Sequence, residues 1–315
     1  MKDRPFVHEH RDFAQLLSIV SGRQGVAEAL VEKDYWVTHT LWALQDAGLG
    51  LHFKGGTSLS KGFGLIERFS EDLDVKITAG DLPEVANWTS EGVQALRTRE
   101  AFFQALEERL RVPGAEVEEL SRDDSWRHAT FAVLYPSGAA DLLPEGIRTF
   151  VQLEVGSARV TPGEERPISS WIHNHLFAEA TDLAATFTEN RPRGIHCVSP
   201  AVTLLEKVEA ITRLFPRDPF EAAKFVRHYE DAVQILRWAD LTPRTELSGL
   251  LAKMRKAADI KRWPVPDDPA FNPGANSDRW NELERAWAAI GPMFWGERVP
   301  LSECAGEIRD LIESL

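Results

Sequence analysis

Residues 72–77, DLDVKI, alternate between charged and apolar side chains with a period of two. This period predicts a β-strand, because successive side chains of a strand point to opposite sides of a sheet. The apolar side chains share one face of the strand, namely Leu73, Val75 and Ile77. The charged side chains share the other face, namely Asp72, Asp74 and Lys76. Since the apolar face packs into a core, the charged face must border open space.

A second segment, TFVQLEVGSA at residues 149–158, repeats this alternation and places Glu154 on its polar side. The Cα atoms of Asp72 and Asp74 lie about 6–7 Å apart on one side of a strand. Carboxylates this close repel unless a cation, a proton or a basic side chain lies between them. Mg²⁺ prefers one or two such carboxylates together with substrate phosphates. The alternative is the solvated face of an antiparallel sheet, which the spacing alone favours.

The segment KGGTS at residues 54–58 follows a predicted strand at 51–53 and precedes a predicted helix at 58–69. Its residues combine two glycines that allow close backbone approach with two hydroxyl donors, namely Gly55, Gly56, Thr57 and Ser58. Backbone amides at such a junction bind phosphate. Lys54 and Lys61 add positive charge, unless they are ordinary surface lysines. The chain has neither GxxxxGK[ST] nor a GxGxxG that opens a βαβ unit, so it has no P-loop or dinucleotide fingerprint.

The remaining periodicity predicts two domains. Helices are expected at 9–48, 98–110, 199–215 and 218–239, and a strand at 128–135. The segment 166–176 is read as irregular, and residues 263–278 as a loop rich in proline and asparagine. Helix breakers at 190–194 and Pro200 indicate a boundary. We therefore expect one domain over residues 1–190 and a helical domain over 191–315.

Composition limits the setting of the protein. The net charge of −13 repels polyphosphates, so nucleic acid would need a local basic patch, with candidates at Arg191, Arg193, Arg213, Arg217 and residues 251–263. No run approaches the roughly 18 apolar residues of a membrane span. Cys197 and Cys304 are too few for a disulfide framework and lack zinc-site spacing, so we expect a cytoplasmic protein without a membrane partner. We assign no zinc site to His173, His175 and His196.

The order K-G-G-T-S/A-L, then R-x-S-x-D-x-D, resembles the AbiEii/AbiGii-type nucleotidyltransferases, the toxins of abortive-infection toxin–antitoxin systems within the DNA polymerase β-like superfamily. The matching residues here are Lys54 to Leu59, then Arg68, Ser70, Asp72 and Asp74. Further similar segments are VEKDYWVTHTLWAL, LEVGSARV with Ser157 inserted before Ala158, LLEKVEAITR and VRHYEDAVQIL. Together they span residues 32–236 in the family's order.

The resemblance implies an α+β fold, in which a small mixed or antiparallel sheet flanked by helices precedes a mostly helical C-terminal domain. It implies that Asp72 and Asp74 bind Mg²⁺, with Mn²⁺ as the alternative ion and Glu154 as the third carboxylate. It assigns nucleotide binding to a larger set of residues, namely Lys54, Gly55, Gly56, Thr57, Ser58, Arg68, Ser70 and Lys207. Whether Thr57 or Ser58 contacts phosphate stays open. Lys207 and Asp231 would be the functional pair of the helical domain.

The helical pattern leaves alternatives for that pair. Lys207 lies beside an apolar stripe, so its amine either reaches a triphosphate or extends to solvent, and spacing alone favours solvent. Arg227, His228 and Asp231 share a helix face. The simplest interpretation is an Arg227–Asp231 pair worth a few tenths of a kcal/mol. The alternative is that Asp231 orients Arg227, His228 or Lys207 toward a nucleotide.

The leading functional hypothesis is an enzyme, a Mg²⁺-dependent nucleotidyltransferase that moves NMP from an NTP to RNA. By resemblance the favoured acceptor is the 3′ end of tRNA, and a cognate antitoxin restrains the toxin. A second hypothesis is transfer to a small molecule or a protein hydroxyl, which the acidic net charge favours. A third is a nucleotide-binding regulatory module without transfer activity.

Overall fold

The computed structural model describes residues 4–70, 72–78, 82–143, 147–156, 159–238 and 241–315. The predicted insertion of Ser157 before Ala158 lies outside these residues. Contacts within the chain group it into two compact units. The first unit consists of Met1–Gly62, Ser70–Val160 and Glu164–Cys197. The second unit consists of Phe63–Phe69, Thr161–Gly163 and Val198–Leu315.

Seven strands of the described chain form one mixed sheet in the order β3-β4-β5-β2-β1-β7-β6. The strands are β1 Gly50–Lys54, β2 Asp72–Thr78, β3 Glu116–Arg122, β4 His128–Leu134, β5 Val151–Gly156, β6 Gly163–Arg166 and β7 Ile195–Val198. The pairs β2–β5 and β1–β7 are parallel, whereas β1–β2, β3–β4 and β4–β5 are antiparallel. Together with the helices that follow, this mixed sheet confirms the predicted α+β fold.

The two faces of the central strands differ as the alternation predicts. Side chains on one face are at most 1% exposed, namely Phe53, Leu73, Val75, Leu153 and Val155. Burial of a side chain of this kind contributes about 1.5–3 kcal/mol, so this face fixes which side of each strand is turned to the core. The opposite face therefore presents the polar residues of β1, β2 and β5.

The helices of the first unit are α1 Phe13–Gln24, α2 Glu28–Asp46, α3 Gly55–Lys61, α4 Val93–Arg109, α5 Trp171–Glu179 and α6 Thr181–Ala184. Helix α2 is buried around its circumference, including three consecutive charged residues, Glu32, Lys33 and Asp34. Each of them has a partner within the unit: Glu32 accepts from Ser137, Lys33 donates to the carbonyl of Arg148, and Asp34 pairs with Lys61. These contacts make α2 a central support of the unit.

The second unit is helical. It contains α7 Pro200–Leu214, α8 Ala222–Phe225, α9 Arg227–Leu236, α10 Arg244–Lys256, α11 Ser277–Ala289 and α12 Leu301–Ser314. Helix α7 begins as predicted, because the Ser199 side chain accepts a hydrogen bond from the amide of Ala201 and Pro200 occupies the first turn. Throughout the described residues, no helix combines the length and the apolar character that a membrane span needs.

Three predicted elements differ from the structure. The helix predicted at 58–69 starts at Gly55 and ends at Lys61, since Gly64 has a φ of +64°, which a right-handed helix cannot include. The helix predicted at 218–239 is two shorter helices, α8 and α9, and the first of them begins at Ala222. Phe220 precedes α8 and packs on Phe225 with 4.7 Å between ring centroids. The segment read as irregular contains α5, which Ser170 caps by accepting from the amide of His173.

Candidate functional site

Asp72, Asp74 and Glu154 lie on the polar face of the sheet. Strands β2 and β5 are parallel neighbours, and their register places Asp74 beside Glu154 and Asp72 beside Gln152. The three predicted carboxylates therefore share one face of two adjacent strands. This arrangement follows from the side-chain alternation of each strand, together with a pairing that brings residues about 80 positions apart into register.

Each of these carboxylates has a basic neighbour from a different element. Asp72 accepts from the Nη1 of Arg148 at 2.9 Å, and Asp74 lies 3.4 Å from the Nζ of Lys54. These basic side chains reduce the repulsion between the carboxylates of Asp72 and Asp74.

Glu154 and Asp74 differ in their ionisation. Burial raises the pKa of Asp74, although the charge of Lys54 opposes this effect. The imidazole of His128, 3.8 Å from the carboxylate, lowers the pKa of Glu154, and the same interaction raises the pKa of His128. The Nε2 of Gln152 also donates to Glu154 at 2.5 Å. Glu154 is therefore the more readily ionised carboxylate of this pair.

Helix α3 holds the glycines against the second aspartate. Gly55 has a φ of +78°, and a Cβ atom on it would lie 3.4 Å from the Cβ of Asp74. Glycine is favoured here because this backbone conformation strains residues that carry a Cβ. Gly56 is partly exposed beside it.

The two hydroxyls of the KGGTS segment are turned into the unit. Thr57 and Ser58 are each 1% exposed. The Oγ1 of Thr57 donates to the main-chain carbonyl of Asp72 at 2.7 Å, which ties α3 to β2. The predicted phosphate contact of either hydroxyl stays a prediction. Ser70, also predicted to bind nucleotide, is partly exposed two residues before β2.

Lys61, at the end of α3, forms a buried ion pair with Asp34 at 2.5 Å, and the side chains are 9% and 6% exposed. Lys61 also donates to the carbonyl of Ser169, and Asp34 accepts from the amide of Trp171. Lys61 is thus not a surface lysine. It connects α3 to α2 and to the segment that precedes α5.

Arg68, Lys207 and Asp231 form a second group, within the second unit. Arg68 binds the carboxylate of Asp231 with its Nε at 2.8 Å and its Nη2 at 2.7 Å. Lys207 donates to Asp231 Oδ2 at 2.6 Å. Lys207 is 9% exposed, so the expectation that it extends to solvent is wrong: the buried charge of Asp231 offsets the cost of burying the ammonium.

The electrostatics of this group follow from its burial. Burial alone would raise the pKa of Asp231, but Arg68 and Lys207 hold it well below its usual range. Burial also lowers the pKa of Lys207, with Asp231 opposing that effect. Asp231 directs its oxygens to Arg68 and Lys207 rather than forming the simple helix pair with Arg227. The guanidinium of Arg68 is bound to Asp231, and its predicted contact with nucleotide stays a prediction.

Sequence patterns did not indicate two residues that contact the strand carboxylates, Arg148 and His128. His128 and Thr130 share one face of a predicted strand, and Thr130 lies opposite Glu154. The strand period could therefore have pointed to His128. Arg148 lies three residues before β5, where no periodicity applies, and 76 positions from Asp72. Only the fold brings it there.

The chemistry of the carboxylates suits a hard cation. Among the residues that the structure describes, no cluster of three or more histidine, cysteine, aspartate or glutamate side chains is arranged to hold a metal ion. Mg²⁺ does not need such a cluster, since one or two protein carboxylates and substrate phosphates are enough. Asp72 and Asp74 fit this requirement by ligand type, and Arg148 and Lys54 are the cations that pair with them in this structure.

The chain is similar to known nucleotidyltransferase toxins. A family model described as the nucleotidyl transferase AbiEii toxin of a type IV toxin–antitoxin system matches residues 40–300. Among solved structures, the chain is similar to MenT4, a nucleotidyltransferase toxin from Mycobacterium tuberculosis H37Rv, with 18% identity and a TM-score of 0.47 over 94% of this chain and 98% of that chain. No protein of curated function matches. Because the family match covers most of the chain, this protein belongs to the AbiEii nucleotidyltransferase toxins of type IV toxin–antitoxin systems.

Proposed function

We propose that this nucleotidyltransferase moves NMP from an NTP to RNA in a Mg²⁺-dependent reaction, with the 3′ end of tRNA as the favoured acceptor. The observation that carries the metal dependence is the placement of Asp72, Asp74 and Glu154 on one face of adjacent strands. The acceptor rests on the family resemblance. A cognate antitoxin would restrain the reaction in the cell.

Asp72 and Asp74 would hold Mg²⁺, with Mn²⁺ as a substitute, and Glu154 would complete the ligands. Bound there, the ion supplies Lewis acidity and charge neutralisation for nucleotidyl transfer. The backbone of Gly55 and Gly56 would approach the triphosphate closely, because neither residue has a side chain to block it.

Glu154 would also receive the proton of the acceptor hydroxyl. The contact with His128 lowers the pKa of Glu154 further below neutral pH, so the carboxylate is ionised and can accept a proton. His128 lies within 3.8 Å of the carboxylate and could share the proton that Glu154 receives. In the second unit, Asp231 would keep the Lys207 ammonium charged and in place, as the functional pair that the resemblance implies.

One observation favours a different acceptor, the hydroxyl of a small molecule or a protein. The protein carries a net charge of −13. Two arginines of the candidate basic patches are paired with acidic neighbours, Arg191 with Glu189 and Arg213 with Glu209. These pairs reduce the positive charge available for an RNA backbone. A nucleotide-binding module without transfer activity is the remaining alternative.

The test is a transfer assay on the purified protein with Mg²⁺, each of the four labelled NTPs in turn, and either tRNA or total RNA. We expect label on tRNA, lost with EDTA and with Asp74→Ala, and retained with Asp278→Ala, an exposed aspartate on α11. Label found only on protein or on a small molecule would show that this molecule, and not RNA, is the acceptor. Binding of NTP without transfer to any acceptor would leave the regulatory module.

A further inference from the structure

Arg148 contacts the first strand aspartate from outside the sheet. Its Nη1 donates to Asp72 Oδ1 at 2.9 Å. The side chain of Arg148 is 27% exposed and that of Asp72 is 34% exposed. At this exposure the pair contributes little to stability, because solvent screens it. A role other than stabilising the fold is therefore open to this arginine.

The main chain of Arg148 is held more firmly than its side chain. The carbonyl of Arg148 accepts a hydrogen bond from the ammonium of Lys33, which is fully buried in α2. An ammonium buried in this way fixes the backbone, since breaking the contact would leave its charge without that acceptor. The guanidinium, on a long and partly exposed side chain, can rotate without moving the backbone.

Asp72 also adjoins the segment that the proposed function assigns to the triphosphate. The hydroxyl of Thr57 donates to the Asp72 carbonyl at 2.7 Å. The Cβ position of Gly55 is 3.4 Å from that of Asp74, on the same face as Asp72. Arg148 thus contacts the side chain of the residue whose main-chain carbonyl holds Thr57 of KGGTS. A guanidinium has the planar fork that binds phosphate oxygens bidentately.

We propose that Arg148 is a nucleotide-binding residue that exchanges partners: it pairs with Asp72 in the free protein and with the triphosphate when Asp72 binds the divalent cation. This inference rests on the proposed function. Once the cation neutralises Asp72, the attraction that holds Arg148 there is replaced by repulsion between two positive charges. The triphosphate then supplies anionic oxygens that the guanidinium of Arg148 can bind.

The exchange predicts effects of opposite sign in one variant. Arg148→Gln removes the charge that competes for Asp72, so Mg²⁺ alone should bind several-fold more tightly. The same variant loses the charged contact with phosphate, so α,β-methylene NTPs at saturating Mg²⁺ should bind about tenfold more weakly. Both affinities are measured by calorimetry on the full chain, without turnover. A merely structural role would not strengthen metal binding.

Two further variants complete the experiment. Arg148→Lys keeps the charge and loses the fork, so its Mg²⁺ affinity should match the wild type and its nucleotide affinity should be intermediate. Arg237→Gln removes an exposed arginine paired with Glu303 and Glu307 in the second unit, and should change neither affinity. The exchange alone is overturned if Arg148→Gln binds Mg²⁺ and nucleotide with wild-type affinities. It is also overturned if a folded Arg148→Gln binds Mg²⁺ more weakly than the wild type. Wild type that binds no NTP overturns the proposed function as well.

Discussion

Asp231 carries its charge at a position with no exposure to solvent (0%). Two cations, Arg68 and Lys207, balance that charge through hydrogen bonds of 2.6–2.8 Å. A buried group of this kind need not add net stability, but each member depends strongly on the others. Removing the carboxylate leaves two buried cations without their common partner.

We therefore expect Asp231→Ala to lower the free energy of unfolding by about 3–5 kcal/mol. Urea denaturation at pH 7.5 measures the change. Asp278→Ala, on the surface of the same unit, should alter the value by less than about 0.5 kcal/mol. A loss below about 1 kcal/mol in Asp231→Ala would show that water or another residue replaces the carboxylate.

Helix α3 illustrates how a short element depends on its attachments. It has seven residues, too few to be stable alone, and its first residue has a left-handed backbone conformation. Thr57 ties the helix to β2, and Lys61 ties it to α2 through Asp34. The tertiary contacts hold it where the sequence predicted a longer helix further along the chain.

Two glycine substitutions separate backbone strain from helix propensity. Gly55→Ala should destabilise the protein by about 1–2 kcal/mol, because alanine is strained at a φ of +78°. Gly249→Ala, inside α10 with open space at its Cβ position, should stabilise it by about 0.5–1 kcal/mol. Urea unfolding measures both. The strain argument fails if Gly55→Ala is neutral or stabilising.

At the scale of the whole molecule, the two units are built from several separate stretches of chain. Residues 63–69 lie early in the sequence but belong to the second unit, and they carry Arg68 to Asp231 across 163 positions. The first unit contains a hydrogen-bond network of buried polar side chains, with Asn190 at its centre. Asn190 hydrogen-bonds to Tyr35, His39 and His173.

This network makes the stability of the fold sensitive to acid. Burial lowers the pKa of His39 and of His173 to about 4, below the value of 6.5 expected when unfolded. The unfolded chain therefore binds more protons below pH 6.5, and folding stability is lost as the pH falls from about 6.5 to 4. The slope is at most about 1.4 kcal/mol per pH unit for each histidine.

Urea unfolding between pH 7.5 and 4.5 measures that slope. His39→Gln should be less stable than the wild type at pH 7.5 but should show a shallower slope, because one titrating group is gone. His10→Gln, which replaces a partly exposed histidine, should keep the wild-type slope. Equal slopes in the wild type and His39→Gln would exclude His39 as a source of the acid sensitivity.

Much of the site could be predicted from local patterns. The alternation of β2 and β5 predicted that the side chains of Asp72, Asp74 and Glu154 face away from the core, because strand geometry imposes a period of two. Strand β3, EVEELSR, escaped prediction because it is an exposed edge strand without an apolar face. The contacts of Arg148 with Asp72 and of Arg68 with Asp231 could not be predicted, since nothing local marks a contact with a residue 76 or 163 positions away.

The sequence by itself determined the alternation of the central strands, the KGGTS junction and the family resemblance, since each depends on neighbouring residues or on their order. Only the tertiary structure decided what each charge faces. It placed Glu154 beside Asp74, buried Lys207 on Asp231 and brought Arg148 to Asp72. The physical reason is that charge pairing depends on distance in space, which the packing of the two apolar cores sets.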